Sequence, residues 1–338
     1  MSGAGATEHA PHIAVVGAGI AGLAAAYRLH TDLPGARVTV LEGSSQVGGK
    51  LRVSEVAGLP VDEGAEAMLQ RRPEAVALAR AVGLADTLDH PATTRSAVWT
   101  RGVVRALPPT MMGIPTDLVA LARSGIVPAS ALVRAQLDRV LPRTRTDDDI
   151  TVGRLVSERL GAEVNDRLVE PLLGGVYAGH ARELSLRSAV PQIADLARQQ
   201  RSLLAAAAHA RAFAGSGETP VFAGIRGGVG RLPAAVAQAS GALLRTGAMV
   251  RDLTRLEHGW RLVIGPTRAE ESLDVDAVVL AVPCAPAARL LGSVAPAAAA
   301  RLTEVEYASV AVVTFAFART DAGDSFAGSG FLVPPVDG

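Results

Sequence analysis

The sequence predicts an α/β protein in which a Rossmann-like nucleotide-binding domain is interrupted by a mostly helical insertion. Three observations predict it. Residues 13–23 read IAVVGAGIAGL, an apolar run that stops at Gly17 and completes a G-x-G-x-x-G with Gly19 and Gly22. A second apolar run, Arg37–Leu41, ends in the acid Glu42, twenty residues beyond Gly22. Across roughly residues 110–210, apolar positions recur instead at helical spacing.

The first twelve residues are polar and carry no basic leader. The uncharged stretch 13–27 then reads as a buried strand, a tight turn and a helix start, not as a signal sequence. Gly17, Ala18, Gly19, Ile20, Ala21 and Gly22 form a turn whose free N–H groups and positive helix end suit a pyrophosphate. Glu42 is placed to accept hydrogen bonds from a ribose diol, and its charge would repel the 2′-phosphate of NADP. Six residues later comes Gly48-Gly49-Lys50. A nicotinamide dehydrogenase has no need of a second glycine pair there, whereas FAD lies extended and brings more backbone close to its pyrophosphate. Lys50, the only lysine in the chain, supplies a cation either near the phosphates or near Asp62 and Glu63.

Residues 58–69 (GLPVDEGAEAML) read as a strand running into Gly64. Residues 247–253 read as a strand on which the Val250 backbone reaches the adenine end. Residues 274–283 (DVDAVVLAVP) read as one apolar strand of a parallel sheet. The nucleotide-binding domain is therefore expected to be discontinuous, 10–75 plus 220–285. Residues 76–219 plus 286–338 then form the substrate-binding region with its helical insertion. Helices are predicted over 118–123, 128–140, 152–160 and 203–213, with Asp147, Asp148 and Asp149 suited to a helix N-terminus.

Composition excludes several classes. Thirty-three basic and 33 acidic residues cancel, which argues against a nucleic-acid partner. No stretch is long and apolar enough for a transmembrane segment. The one cysteine, Cys284, rules out an internal disulfide framework, fits a reducing compartment and reads as a small core residue. His180 has no partner at ligand spacing, so no metal is expected. The chain reads as cytoplasmic.

Taken together, these motifs resemble the bacterial coproporphyrinogen III/protoporphyrinogen oxidase family, within the FAD-dependent, amine oxidase-like superfamily. GAGIAGL, the E-x5-GGK loop and VDEGAEAML carry the nucleotide end. EPLLGGVYAGHARELSLRSAVPQ (170–192) is similar to a family hallmark, with His180 where an acid commonly stands. FAGIRGGVGRLPAAV, YASVAVVTFAF and GSGFLVPP match later segments, the last two as strands. The resemblance implies an α/β, amine oxidase-like FAD-binding domain whose Gly64 turn passes the isoalloxazine ring. Members of that family continue further and close the cofactor site with a second glycine-rich turn. The chain is thus expected to be C-terminally truncated, without the FAD-closing segment.

The implied reaction is stepwise oxidation of a porphyrinogen, with hydride passing from a bridging carbon to the flavin and O2 reoxidising it to hydrogen peroxide. Little acid–base machinery is needed, and no catalytic dyad is visible. Substrate propionates call for arginines. Arg71 and Arg72 are the first candidates and Arg95 the second, with Gly174, Gly175 and Tyr177 on the substrate side. The gram-positive and actinobacterial branch, which acts mainly on coproporphyrinogen III, is the nearest match. Protoporphyrinogen IX is the alternative substrate. Further alternatives are a flavin amine oxidase, a carotenoid desaturase-like enzyme and an inactive, truncated remnant. The resemblance leaves room for contact with other heme-pathway enzymes.

Overall fold

The computed structural model describes residues 10–70, 72–144, 148–213, 220–322 and 328–338. The chain forms two compact units. One comprises residues 1–90, 220–307 and 312–316, the other 91–219, 308–311 and 317–338.

The first unit is built on a parallel sheet. Strand β1 (His12–Val16) leads into helix α1 (Ile20–Asp32), and β2 (Arg37–Leu41) pairs in parallel beside β1. Ala277–Leu280 flanks β1 on its other side, and Leu243–Arg245 flanks β2. Side chains alternate across a strand, so β1 and β2 feed two cores. Val15, Val38 and Val40 pack with Leu23 and Ala26 of α1 and with Leu232 and Val236 of the helix Arg231–Ala239. Ala14, Val16 and Leu41 pack with Leu253, Leu262 and Ile264 of an antiparallel meander, Val250–Arg255, Trp260–Ile264 and Glu271–Val275. A sheet covered on both faces requires near-continuous apolar strands, as the sequence has.

The sequence boundaries at 75 and 285 fall inside this unit. Ala79 of the helix Pro73–Ala81 is buried with Leu23 and Val40, and Leu290 of the helix Cys284–Leu291 with Ala14 and Leu41. Two expected strands differ from the structure. Residues 274–283 are not one strand: Val275 ends the meander, and Ala277 begins a strand beside β1. The switch occurs at Asp276, whose N–H donates to the His12 carbonyl (2.9 Å) while its carboxylate accepts the His12 N–H (2.6 Å). Residues 307–317 (YASVAVVTFAF) adopt no regular element. A strand requires a ladder partner, and no described strand pairs with this one, which leaves Val310 72% and Phe315 73% exposed.

In the second unit the hairpin Ala97–Thr100/Val103–Ala106 gains Phe331–Leu332 as a parallel neighbour. The helices Leu118–Ser124, Ala129–Gln136, Val152–Leu160 and Leu203–Phe213 lie where helical spacing puts them. They share one core, including Leu121, Ala131, Leu155, Leu160 and Leu204. The acidic triplet is not the cap expected of it. Thr151 caps Val152–Leu160, its hydroxyl accepting the Arg154 N–H (3.2 Å). Asp149 instead accepts the Arg187 N–H (3.3 Å) in the first turn of the helix Leu186–Ala189, and Asp147 lies outside the described residues.

A buried ion pair ties these helices together. Arg159 Nε donates to Asp138 Oδ1 (2.5 Å), and its remaining nitrogens donate to the carbonyls of Pro142, Asp138 and Arg201. Asp138 Oδ2 accepts the Ser202 hydroxyl (2.6 Å) and the Leu204 N–H (2.9 Å) at the start of Leu203–Phe213. Every charge is thus satisfied. Removing one partner strands the other, so Arg159→Met is expected to cost about 3–5 kcal/mol in denaturant unfolding. An Asp138→Leu/Arg159→Met double variant should recover much of that loss.

Candidate functional site

The site begins where β1 ends. Gly17 takes φ +104°, and a Cβ there would stand 2.6 Å from the Ala281 carbonyl oxygen. At Gly22 a Cβ would lie 1.9 Å from the Gly17 oxygen, so α1 can approach its own turn only without one. Gly19 differs: a Cβ there meets nothing within 4 Å. The first and third glycines are thus required by the protein's own packing, while the second leaves open space over the helix start. Gly19 is also the N-cap of α1 and has no side chain with which to cap it. Ile20 and Ala21 open the helix, and no acid neutralises its first turn.

Three loops are stitched to this turn. Gly17 N–H donates to the Leu41 carbonyl (2.8 Å) at the tip of β2. Glu42 Oε2 accepts the Ala18 N–H and Oε1 the Ser44 N–H, both at 2.8 Å. Gly48 N–H donates to the Ala18 carbonyl (2.8 Å), which places Gly48 beside Gly19 in a parallel bridge. Desolvation alone would raise the Glu42 pKa, but the N–H groups of Ser44 and Ala18 outweigh it and hold the carboxyl below its ordinary value. The acid therefore stays ionised against the glycine turn.

The remaining cofactor candidates gather around the same loops. Gly49 has φ +60° and packs its Cα side against Gly19, where a Cβ would stand 3.1 Å from the Gly19 Cα. Lys50 forms no ion pair with Asp62 or Glu63 among the described residues; its ammonium sits 5.6 Å from the centre of the Tyr307 ring. Gly64 lies against the Lys50 carbonyl, 2.5 Å from where its Cβ would be. The segment entering Val250 is bonded to the acid's own backbone, Ala248 N–H to the Glu42 carbonyl (2.7 Å) and Gly247 N–H to the Ser44 carbonyl (2.8 Å). Two contributors are not conspicuous in the sequence. Arg52 Nε donates to the Gly49 carbonyl (3.1 Å). Asp62 accepts the N–H groups of Val229 and Gly230 (both 2.9 Å), holding the loop that leads into Arg231–Ala239. VDEG paired with GGVG was the available signal.

The substrate-side candidates are more dispersed. Arg72 is the exposed N-cap of Pro73–Ala81 in the first unit, and Arg71 lies outside the described residues. Arg95 belongs to the second unit and lines a cavity of about 830 Å3. Gly174 and Gly175 line a smaller one of about 450 Å3 with Glu170, His180 and Phe331. Tyr177 is not on its wall; the hydroxyl donates to the Ala189 carbonyl (2.7 Å).

The hallmark block has its own local logic. Pro171 has no N–H to offer Arg167, and the helix widens just before it: Glu170 N–H bonds to the Asn165 carbonyl, five residues back. Glu170 emerges with its carboxylate aimed at the returning loop. Oε2 accepts the Ala181 N–H and Oε1 meets His180 Nδ1, both at 2.8 Å. The hydrogen bond and the charge of Glu170, in that order, raise the His180 pKa, with Glu183 adding to them. His180 does have a partner, the carboxylate of Glu170.

A parallel sheet with a glycine turn, an ionised acid at the next strand tip and a second glycine loop bonded to the first define a dinucleotide-binding domain of the flavoprotein class. The residues fit FAD: an uncapped helix start, open space over Gly19 and backbone close to it on the Gly48-Gly49 side. The chain belongs to the flavin containing amine oxidoreductase family, whose model matches residues 20–331. It is 36% identical over 307 residues to the coproporphyrinogen III oxidase of Mycobacterium tuberculosis, covering 89% of this chain and 65% of that one. With the coproporphyrinogen III oxidase of Mycobacterium leprae it shares 36% over 309 residues, 90% of this chain and 67% of that one. The chain thus spans about two thirds of the length of these curated relatives. A crystal structure from Exiguobacterium sp. 255-15, provisionally named a protoporphyrinogen oxidase, superposes with TM-score 0.74 at 25% identity. That match covers 84% of this chain and 62% of the other.

Two outcomes follow. Gly22→Ala should lower stability by about 2–3 kcal/mol or more, since the clash is with backbone, whereas Gly19→Ala should leave thermal unfolding nearly unchanged. His180 has a raised pKa in the folded state, so its contribution is complete below the ordinary histidine value and fades as pH rises through the folded one. Replacing His180 with Asn should therefore lower Tm more at about pH 5.5 than at about pH 9. Adding Glu170→Gln should remove that pH dependence.

Proposed function

We propose that this chain carries the FAD-binding and substrate-binding parts of an oxygen-dependent coproporphyrinogen III oxidase. The observation that carries the reading is 36% identity across 89% of the chain to proteins of that name, a span that reaches well beyond the nucleotide loops into the inserted unit. When bound, FAD supplies a hydride acceptor for a bridging carbon of the macrocycle and a path for electrons to O2.

The chain's own residues bind and orient. Gly19 and the N–H groups of Ile20 and Ala21 would take the pyrophosphate, with Gly17, Ala18 and Gly22 setting the turn. Glu42 would exchange part of its hold on backbone N–H groups for the ribose diol. Gly48, Gly49 and Lys50 would line the second side of the phosphates, Gly64 the ring, and the Val250 backbone the adenine. On the substrate side, Arg71, Arg72 and Arg95 would offer guanidinium forks to propionates, and Gly175 and Tyr177 would border the macrocycle. No residue needs to act as a strong base, because loss of hydride acidifies the pyrrole N–H groups. The setting we propose is cytoplasmic, alongside other heme-pathway enzymes. Among the described residues no helix is long and apolar enough to cross a membrane.

Protoporphyrinogen IX is the second reading, favoured by the name of the Exiguobacterium structure. Supplying FAD-loaded protein with each porphyrinogen in turn and following porphyrin fluorescence separates them. Faster turnover of coproporphyrinogen III is expected; preference for protoporphyrinogen IX, or oxidation of neither, overturns the proposal. At the cofactor, Gly19→Val fills the open space over the helix start. It should weaken FAD retention at least about tenfold while the flavin-free protein unfolds as before.

A further inference from the structure

The cavity of about 830 Å3 in the second unit has an uneven chemistry. Its wall includes Val104, Leu107, Pro108, Pro109 and Phe331, yet two guanidinium groups, Arg95 and Arg211, also line it, and no lining residue is acidic. Neither arginine forms an ion pair among the described residues. Arg211, in the last turn of the helix Leu203–Phe213, donates Nη1 to the Thr110 carbonyl (3.1 Å). That contact fixes the head and leaves most of its five N–H donors available. Arg95 stands on pinned backbone: its carbonyl accepts both the Ser329 N–H (2.8 Å) and the Ser329 hydroxyl (3.0 Å), and its N–H donates to Thr93 Oγ1 (3.1 Å).

A largely apolar wall with two exposed cations that have no carboxylate partner among the described residues suits a ligand with an apolar body and at least two carboxylates. Such a ligand neutralises both heads and covers the wall in one step. The size is right for a tetrapyrrole or one edge of it. We propose that this cavity holds the carboxylate-bearing edge of a porphyrin-type ligand, and that Arg211 is a carboxylate ligand paired with Arg95. The inference rests on the porphyrinogen reading for the identity of the ligand. It adds a residue, on a helix far from the nucleotide motifs, that sequence reasoning passed over. Arg211 discriminates by carboxylate number: a macrocycle with a propionate on each of its four pyrrole rings has more orientations that reach both arginines than one with only two, both on adjacent rings.

The test uses the whole chain and the stable product coproporphyrin III as probe, with its tetramethyl ester as the uncharged control. Binding is followed by porphyrin fluorescence. The wild-type chain should bind the acid at least about tenfold more tightly than the ester, and Arg211→Gln and Arg95→Gln should each remove most of that preference. Equal binding of the acid by Arg211→Gln and wild type overturns the inference, as does the absence of any binding by the wild type. Turnover separates this result from the reading above. If the FAD-loaded protein oxidises coproporphyrinogen III with a KM unaltered by Arg211→Gln, the cavity assignment fails and the oxidase reading stands. If Arg211-dependent binding occurs without oxidation, the cavity assignment stands and the oxidase reading fails.

Discussion

The structure of the nucleotide end depends on the hydrogen bonds made by Gly17 and Ala18. The N–H of Gly17 is spent on the tip of β2, the N–H of Ala18 on the Glu42 carboxylate and the carbonyl of Ala18 on Gly48. Those bonds tie the first turn to β2 and to the second glycine loop. They also leave open space where a Gly19 Cβ would stand, at the start of α1. A helix start is an anion site only when nothing internal occupies it. Here the internal demand is met one residue too early to occupy it, by an acid from the neighbouring strand. Glu42 does two jobs as a result: it fixes the turn, and it stays ionised where a ribose diol would need an acceptor.

The same device recurs. Asp62 holds the N–H groups of Val229 and Gly230, Glu170 holds Ala181 and His180, and Asp138 holds Leu204 with Ser202 and Arg159. Each of these carboxylates sits at the point where a loop meets a helix and accepts at least one backbone N–H there. A protein whose acids are committed to holding loops is suited to chemistry in which a cofactor takes the electrons and the protein supplies shape. His180 fits this pattern as well. Where an acid would have faced Glu170 with like charge, the imidazole closes the loop onto it.

Much of this was legible because it rests on local rules. Glycine spacing between an apolar strand and a helix, an acid at the end of the next strand and a second glycine pair each have one physical meaning, and the sheet, the turn and the loop adjacency follow. The helices of the insertion were legible from spacing for the same reason. The rest depended on partners distant in sequence. Residues 274–283 carry the apolar pattern of one strand, but the pattern cannot reveal that Val275 and Ala277 serve different sheets. Residues 307–317 have strand composition, yet composition supplies no ladder. Arg211 sits in an alanine-rich helix with nothing around it in sequence to mark it, and only the cavity brings it beside Arg95.

Cofactor and substrate are therefore read by different parts of the chemistry. The nucleotide end works mainly through backbone: N–H groups, carbonyls and the absence of Cβ atoms, with Glu42 and Arg52 as charged side chains bonded to its loops. Such a site recognises what all dinucleotides share, and its motifs are shared across a superfamily for that reason. The proposed substrate site in the second unit would instead work through side chains, with exposed guanidinium heads beside apolar residues and one of them anchored by the Thr110 carbonyl. A backbone cradle tolerates little change because a single Cβ at Gly22 meets the Gly17 oxygen. A side-chain site can move its charges from one helix or loop to another while keeping the same count. On the proposed reading, substrate preference is set by where the arginines stand, and the paired positions 95 and 211 would supply a carboxylate pattern that the nucleotide motifs do not encode.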